Sequence, residues 1–126
     1  MKFDKFGEYS YFVFRVVIGL MFLSHGTGKI FGEGAMSVFS MMGFVGLMEI
    51  LGGLAIAVGV FTRLAASGGA VLMVLAYFRV HFPNAILPMN NGGELAVMYF
   101  VSFLVIIWLG AKKWGIEKAI LGKEVF

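Results

Sequence analysis

Four long apolar stretches alternate with short polar segments along the chain. They cover about residues 9–29, 43–61, 64–81 and 93–109. A bilayer core about 30 Å thick requires about 20 apolar residues in a helix that crosses it. The pattern therefore predicts an all-α transmembrane four-helix bundle that forms a single domain over residues 1–126.

Small and polar residues share one face of the first apolar stretch. They recur three or four positions apart, as residues on one side of a helix do: Arg15, Gly19, Phe22, Gly26 and Lys29, with His25 beside them. The third stretch has a similar face: Ala65, Gly69, Leu72, Ala76 and Arg79. Because a lipid-facing surface would not collect charges and glycines, we expect both faces to point into the bundle.

Glu49 is a carboxylate within an otherwise apolar segment, GLMEILGGLAIAVGVFTR, which covers residues 46–63. A charge inside a membrane span costs about 2.5–3.5 kcal/mol on insertion scales. The side chain is too deep and too short to reach the headgroups, so we expect it to be paired or protonated. The leading prediction is a structural ion pair with Arg79, Lys29 or Arg15.

The connections between the stretches are polar and of different kinds. Residues 30–42 predict a loop with a short interfacial helix, and residues 82–92 an ordered loop rich in proline and asparagine. Asn91 followed three residues later by Glu94 resembles a capping box. Residues 111–126 are basic and predict a short amphipathic tail on the membrane surface.

The composition indicates an integral membrane protein. Hydrophobic residues make up 60% of the 126 residues and charged residues 13%, too few to cover a soluble domain of this size. The absence of cysteine excludes disulfides, thiol catalysis and cysteinyl metal sites. The net charge of +3 is not pooled in a patch, so we expect no nucleic-acid partner. No small-residue cleavage site follows the first stretch, so we expect it to be retained.

The basic residues predict the orientation in the membrane. Most of them lie in the N-terminal segment, the turn between the second and third stretches, and the C-terminal tail: Lys2, Lys5, Arg63, Lys112, Lys113, Lys118 and Lys123. The positive-inside rule then places both termini in the cytoplasm of a multi-pass protein of the cell membrane.

This topology brings polar residues from all four predicted helices to one layer near the outer side. They are His25, Lys29, Glu49, Arg79, His81, Asn91 and Glu94. Simpler roles exist for several of them. Glu94 can cap a helix, Lys29 and His81 can anchor at the headgroups, and Arg15 on the inner side can snorkel or brace the bundle. The two histidines lack the spacing of a metal site, so we predict no metal.

Three segments together resemble the DoxX family of small membrane proteins: RVVIGLMFLSHGTGKIFG, GLMEILGGLAIAVGVFTRLAA and NGGELAVMYF. The resemblance implies a four-helix membrane bundle. It also implies an association with respiratory or sulfur redox chemistry, because relatives include subunits of thiosulfate:quinone oxidoreductase. The matching polar residues are Arg15, His25, Lys29, Glu49, Arg63, Asn91 and Glu94.

The first functional hypothesis is a redox-associated subunit that binds quinone or a small anion at the outer layer. Glu49 and His25 would then be the catalytic residues. The ligand-binding residues would be His25, Lys29, Arg79, His81, Asn91 and Glu94. Partners would be the lipid bilayer and subunits of a membrane oxidoreductase, in a homo- or hetero-oligomer.

Two other hypotheses remain open. In the first, the protein is a non-enzymatic assembly or scaffold subunit whose charges only hold helices together. In the second, it is a small transporter or channel, which the absence of an internal repeat disfavours.

Overall fold

The computed structural model of the protein describes residues 2–126. All regular secondary structure in this range is helical. The helices are α1 (Lys5–Phe31), α2 (Met41–Val58), α3 (Thr62–Ala76, continued by a π-helical turn Tyr77–His81), α4 (Pro88–Asn91), α5 (Glu94–Leu109) and α6 (Ile116–Leu121). The predicted all-α class is confirmed.

Three of these helices, counted over the described residues, are long and apolar enough to cross a membrane. They are α1, α2 and the continuous helix Thr62–His81. The fourth predicted span forms α5, a shorter apolar helix of 16 residues. At 1.5 Å per residue its length is about 24 Å, less than the usual hydrocarbon thickness.

Glycines allow the backbones of α1 and α2 to touch. A Cβ added to Gly19 would lie 2.6 Å from the carbonyl oxygen of Gly53, and one added to Gly26 would lie 2.8 Å from Cγ1 of Ile50. Both distances are too short for a real side chain, so only glycine fits at these crossings. The α1 face predicted from the sequence is indeed the buried one, with Arg15 among its buried residues.

The second helix pair is formed by α3 and α5, whose closest approach is also at a glycine. A Cβ on Gly69 would lie 2.7 Å from the ring of Phe103. The two helix pairs share one apolar core. It consists of Phe22, Ile56, Ala66, Ala70, Met73, Tyr99, Phe103 and Ile106.

The chain after α5 folds back against the helix ends and contains the short helix α6. The Tyr11 hydroxyl donates to the carbonyl oxygen of Gly110 at 2.6 Å. The fully buried Arg15 donates to the carbonyl oxygens of Ala111 and Trp114. A buried guanidinium must have acceptors, and carbonyls just beyond a helix C-terminus have no intrahelical partner. These contacts fix the start of the C-terminal segment.

A second arginine holds the end of the same segment. Arg63 donates to Oε2 of Glu124 at 2.8 Å and to the carbonyl oxygen of Ile107 at 3.1 Å. The other oxygen of Glu124 accepts the backbone N–H of Lys112 at 2.9 Å. Both chain ends and the α2–α3 turn therefore lie at one end of the molecule.

The loop before α5 is ordered, as predicted, but Asn91 is not a helix cap. Its side-chain amide donates to the carbonyl oxygen of Ala85 at 3.0 Å and to the hydroxyl of Tyr77 at 3.1 Å. Its Oδ1 accepts the N–H of Gly93, the residue in the N-cap position of α5. The capping-box prediction is therefore wrong, because the Asn91 side chain is used to close the loop. Glu94 does lie in the first turn of α5, where it is exposed.

Candidate functional site

A largely apolar cavity of about 210 Å³ lies where α1, α2, the end of α3 and the start of α5 meet. Its lining combines three ionisable side chains with apolar and aromatic ones: Phe22, His25, Glu49, Met73, Ala76, His81, Gly92, Leu95, Ala96 and Tyr99. A concave apolar site with a few convergent polar groups is the usual form of a ligand site.

Glu49 is paired with Lys29, at 2.6 Å between Oε2 and Nζ. The carboxylate side chain is 5% exposed and the lysine side chain 23% exposed. Gly46 makes this pairing sterically feasible, because a Cβ added there would lie 3.0 Å from Cβ of Lys29. The ion pair joins α1 to α2 and neutralises the one buried charge of α2.

Lys29 is thus the partner among the three cations considered for Glu49. Arg15 is 14 residues earlier in α1, about 21 Å along the helix, and is bound to backbone carbonyls at the other end. Arg79 is exposed. The expected structural pairs of Glu49 with Arg15 and Arg79 are therefore not formed.

The predicted inward face of α3 is only partly correct. The buried residues of α3 are Thr62, Ala66, Gly69, Ala70 and Met73, so only Gly69 of the predicted face is buried. After Ala76 the helix continues as a π-helical turn, in which hydrogen bonds join residues five apart, as in Phe82 N–H to Tyr77 C=O at 2.9 Å. Ala76 and His81, which are five apart, line the cavity together. Arg79 is exposed and does not line it.

His25 of α1 and His81 at the end of α3 both line the cavity. His25 is exposed, so its imidazole lies at the mouth rather than in the interior. Nδ1 of His81 lies 3.2 Å from the carbonyl oxygen of Asn91, which fixes the ring against the loop. Either histidine can donate or accept a hydrogen bond, according to its tautomer.

Tyr99 is a buried residue of the cavity lining that carries a hydroxyl group. It is 4% exposed, and its hydroxyl has no hydrogen-bond partner among the described residues. The ring is held between Phe22, at 5.5 Å between centroids, and Phe103, at 5.9 Å. The ring of His25 lies perpendicular to it at 5.8 Å. These ring contacts fix the position of the buried hydroxyl.

The structure brings together some of the residues predicted for the site and leaves others outside. His25, Glu49 and His81 line the cavity, and Lys29 contacts it through Glu49. Three predicted ligand residues do not line it: Asn91, Arg79 and Glu94.

In the sequence, Tyr99 is only one of many aromatic residues that could line a pocket near Glu49. The sequence also did not single out Leu95 and Ala96, which lie four and three positions before Tyr99. This spacing places both residues on the same helix face as Tyr99, so it could have identified them as lining residues.

The chain is similar to a known protein family and to a curated protein. The DoxX family model matches residues 10–82, more than half of the chain, and the match includes His25, Glu49 and His81. An uncharacterized protein of Haemophilus influenzae (strain Rd) is 36% identical over 119 residues, covering 86% of this chain and 88% of the relative. No solved structure matches the chain. The chain belongs to the DoxX family of membrane proteins.

Proposed function

We propose that the protein binds the ring of a quinone in the cavity between His25, Glu49 and Tyr99, as a subunit of a membrane oxidoreductase system. The observation that carries this proposal is the buried Tyr99 hydroxyl, a donor without a partner among the described residues. A buried donor left unpaired costs about 1–3 kcal/mol, and a carbonyl ligand would remove that cost.

The chemistry of the lining favours a quinone over a small anion. Six of the ten lining residues are apolar or aromatic without a polar group: Phe22, Met73, Ala76, Gly92, Leu95 and Ala96. The Glu49 carboxylate would repel an anion at close range, whereas it does not oppose a neutral ring.

The size of the cavity suits a head group rather than a whole lipid-like molecule. Its 210 Å³ is below the range of about 300–1,000 Å³ that is typical of sites for drug-sized ligands. An isoprenoid tail would have to leave through the mouth. There, His25 also borders a shallow depression on α1 with Leu20 and Met21. The exposed apolar side chains of this depression would continue into lipid.

Reduction of a quinone to a quinol requires two electrons and two protons. In this proposal the electrons come from a partner subunit. The Tyr99 hydroxyl donates a hydrogen bond to one carbonyl oxygen. The two protons come from water, one through His25 and one through Glu49, whose carboxylate takes up a proton before passing it to a ring oxygen. Lys29 holds the Glu49 carboxylate in place and acts as a positioning residue.

We further propose that α5 completes a four-helix bundle with both termini in the cytoplasm. The contacts at one end support this, because Arg63 pairs with Glu124, and Lys113 with Glu8 at 3.1 Å. The basic residues of the termini therefore lie at a common level, as the positive-inside rule requires. The cavity would then lie in the outer half of the membrane of a multi-pass cell-membrane protein.

The test is equilibrium binding of a short-chain quinone to the purified protein in nanodiscs. Tyr99→Phe removes one hydrogen bond and should weaken binding roughly 2- to 10-fold, since such a bond contributes about 0.5–1.5 kcal/mol. Tyr11→Phe is the matched control, because it removes a buried hydroxyl at the other end and should leave affinity unchanged. Quinone turnover with the partner subunit should fall for Glu49→Gln and His25→Ala. Unchanged affinity and turnover in these variants would refute the proposal.

One observation favours the alternative of a non-enzymatic assembly subunit. The Lys29–Glu49 pair joins two helices and so accounts for the buried carboxylate without any ligand. If this were its only role, Glu49→Gln would lower stability or partner capture and leave quinone binding unaffected. A specific quinone that copurifies with the protein, identified by mass spectrometry, would count against the alternative.

A further inference from the structure

A basic pocket of about 490 Å³ lies at the end of the molecule opposite the cavity that Glu49 and Tyr99 line. Residues before and within α1 meet the segment after α5 there. Its lining residues are Lys2, Phe3, Glu8, Lys112, Lys113 and Lys118. Four lysines and one glutamate leave three positive charges in excess. None of these lining residues also lines the cavity at Glu49.

Contacts with neighbouring residues hold two of the lysines in position. Lys113 lies 3.1 Å from Oε2 of Glu8, and its Nζ lies 5.2 Å from the centre of the Tyr9 ring and 5.1 Å from that of Trp114. Nζ of Lys112 lies 5.9 Å from the ring of Phe3. A pocket whose cations are already ordered loses less entropy when it binds an anion.

The pocket lies beside an aromatic surface of the kind found at the membrane boundary. The Trp114 ring packs on those of Phe12, at 4.6 Å, and Tyr9, at 5.3 Å. Tyr9 and Trp114 are about half exposed. Tyrosine and tryptophan concentrate at the level of the lipid headgroups, where one side of the ring meets apolar chains and the other meets water.

We propose that this pocket binds the phosphate of an anionic phospholipid. The lysines supply the charge that a phosphodiester requires, and Lys113 offsets the single carboxylate of the pocket. The adjoining aromatic rings supply the apolar contact that a glycerol and acyl chain require and that a free phosphate would not use. Each lysine that reaches the lipid phosphate should strengthen binding by about fivefold, the magnitude typical of a lysine at an anionic membrane surface.

The experiment is native mass spectrometry of the detergent-purified full chain with phosphatidylglycerol or with phosphatidylcholine of the same acyl chains. The parent protein should retain phosphatidylglycerol preferentially. Lys2→Gln/Lys118→Gln should weaken that binding roughly 25-fold, and each single variant about fivefold. The single variants keep the test valid if the double variant fails to fold, because both lysines are exposed.

The matched control is Lys5→Gln/Lys123→Gln, which removes two lysines from the same two segments but outside the pocket. It should retain phosphatidylglycerol as the parent protein does. An equal loss in the control and the pocket variants would overturn the proposal, because binding would then follow net charge alone. No preference of the parent for phosphatidylglycerol would overturn it as well.

A competition experiment separates a lipid phosphate from a free one. Inorganic phosphate at millimolar concentration should leave bound phosphatidylglycerol in place, because it cannot replace the contacts with Trp114 and Tyr9. Complete displacement by inorganic phosphate would show a general anion site and overturn the lipid assignment. Neither result depends on quinone binding at the other end of the molecule.

Discussion

Replacing Lys29 and replacing Glu49 should lower stability by different amounts, although each substitution breaks the same ion pair. The carboxylate is 5% exposed, and its short side chain cannot reach the headgroup region. Lys29 is 23% exposed, near the end of α1, and its long side chain can turn outward once its partner is gone. We therefore predict that Lys29→Met destabilises the protein more than Glu49→Gln.

The magnitudes follow from what each substitution leaves behind. Lys29→Met leaves a buried carboxylate without a counter-charge, a situation that typically costs about 3–5 kcal/mol. Glu49→Gln leaves a neutral amide that can still accept from Lys29, so the loss is that of one charge-assisted hydrogen bond, about 1–2 kcal/mol. The expected difference between the two variants is about 2 kcal/mol.

The measurement is reversible unfolding in mixed micelles with increasing SDS, followed by far-UV circular dichroism. Lys123→Met is the control for removing a lysine, since this residue is exposed and should change stability by less than about 0.5 kcal/mol. The double variant should be less destabilised than the sum of the single variants by about 1–3 kcal/mol. A Glu49→Gln cost equal to or larger than the Lys29→Met cost would refute this account of the pair.

Three further predictions concern stability and local order. Gly26→Ala should lower the melting temperature, because its Cβ would collide with α2, whereas Gly28→Ala, where nothing lies within 4 Å, should be neutral or slightly stabilising. Arg15→Gln should increase hydrogen exchange throughout the C-terminal segment, because it removes the charged donor that fixes its start; unchanged exchange would contradict that role. Tyr99→Phe should leave stability unchanged or raise it by up to about 1 kcal/mol, while Tyr11→Phe, measured in the same thermal unfolding series, should lower it by about 1 kcal/mol.

The face of α1 that packs in the bundle was predictable because its signal is local. Arg15, Gly19, Phe22 and Gly26 recur at helical spacing, and a membrane helix has reason to place charges and glycines only toward other helices. The same argument identified Glu49 as buried and paired. Periodicity within a helix is set by its own residues, so one sequence is enough to detect it.

Other features depend on contacts between different helices, which no local sequence pattern reveals. The pairing of Glu49 with Lys29 depends on the register between α1 and α2, and three cations satisfied the sequence argument equally well. The buried face of α3 shares only Gly69 with the face predicted from the sequence, and Arg79 is exposed. The acceptors of Arg15 lie almost 100 residues later in the chain. Such placements are fixed by packing, which periodicity does not describe.

The Lys29–Glu49 pair alone does not explain the rest of the cavity. If the polar layer served only to hold helices together, phenylalanine would be more favourable than tyrosine at position 99. It would keep the packing against Phe22 and Phe103 and avoid a buried donor without a partner, which costs about 1–3 kcal/mol. In our proposal, tyrosine is present at this position because a ligand accepts the hydrogen bond of its hydroxyl. Glu49 can then serve both roles, since the carboxylate that joins α1 to α2 also lines the cavity that Tyr99 faces.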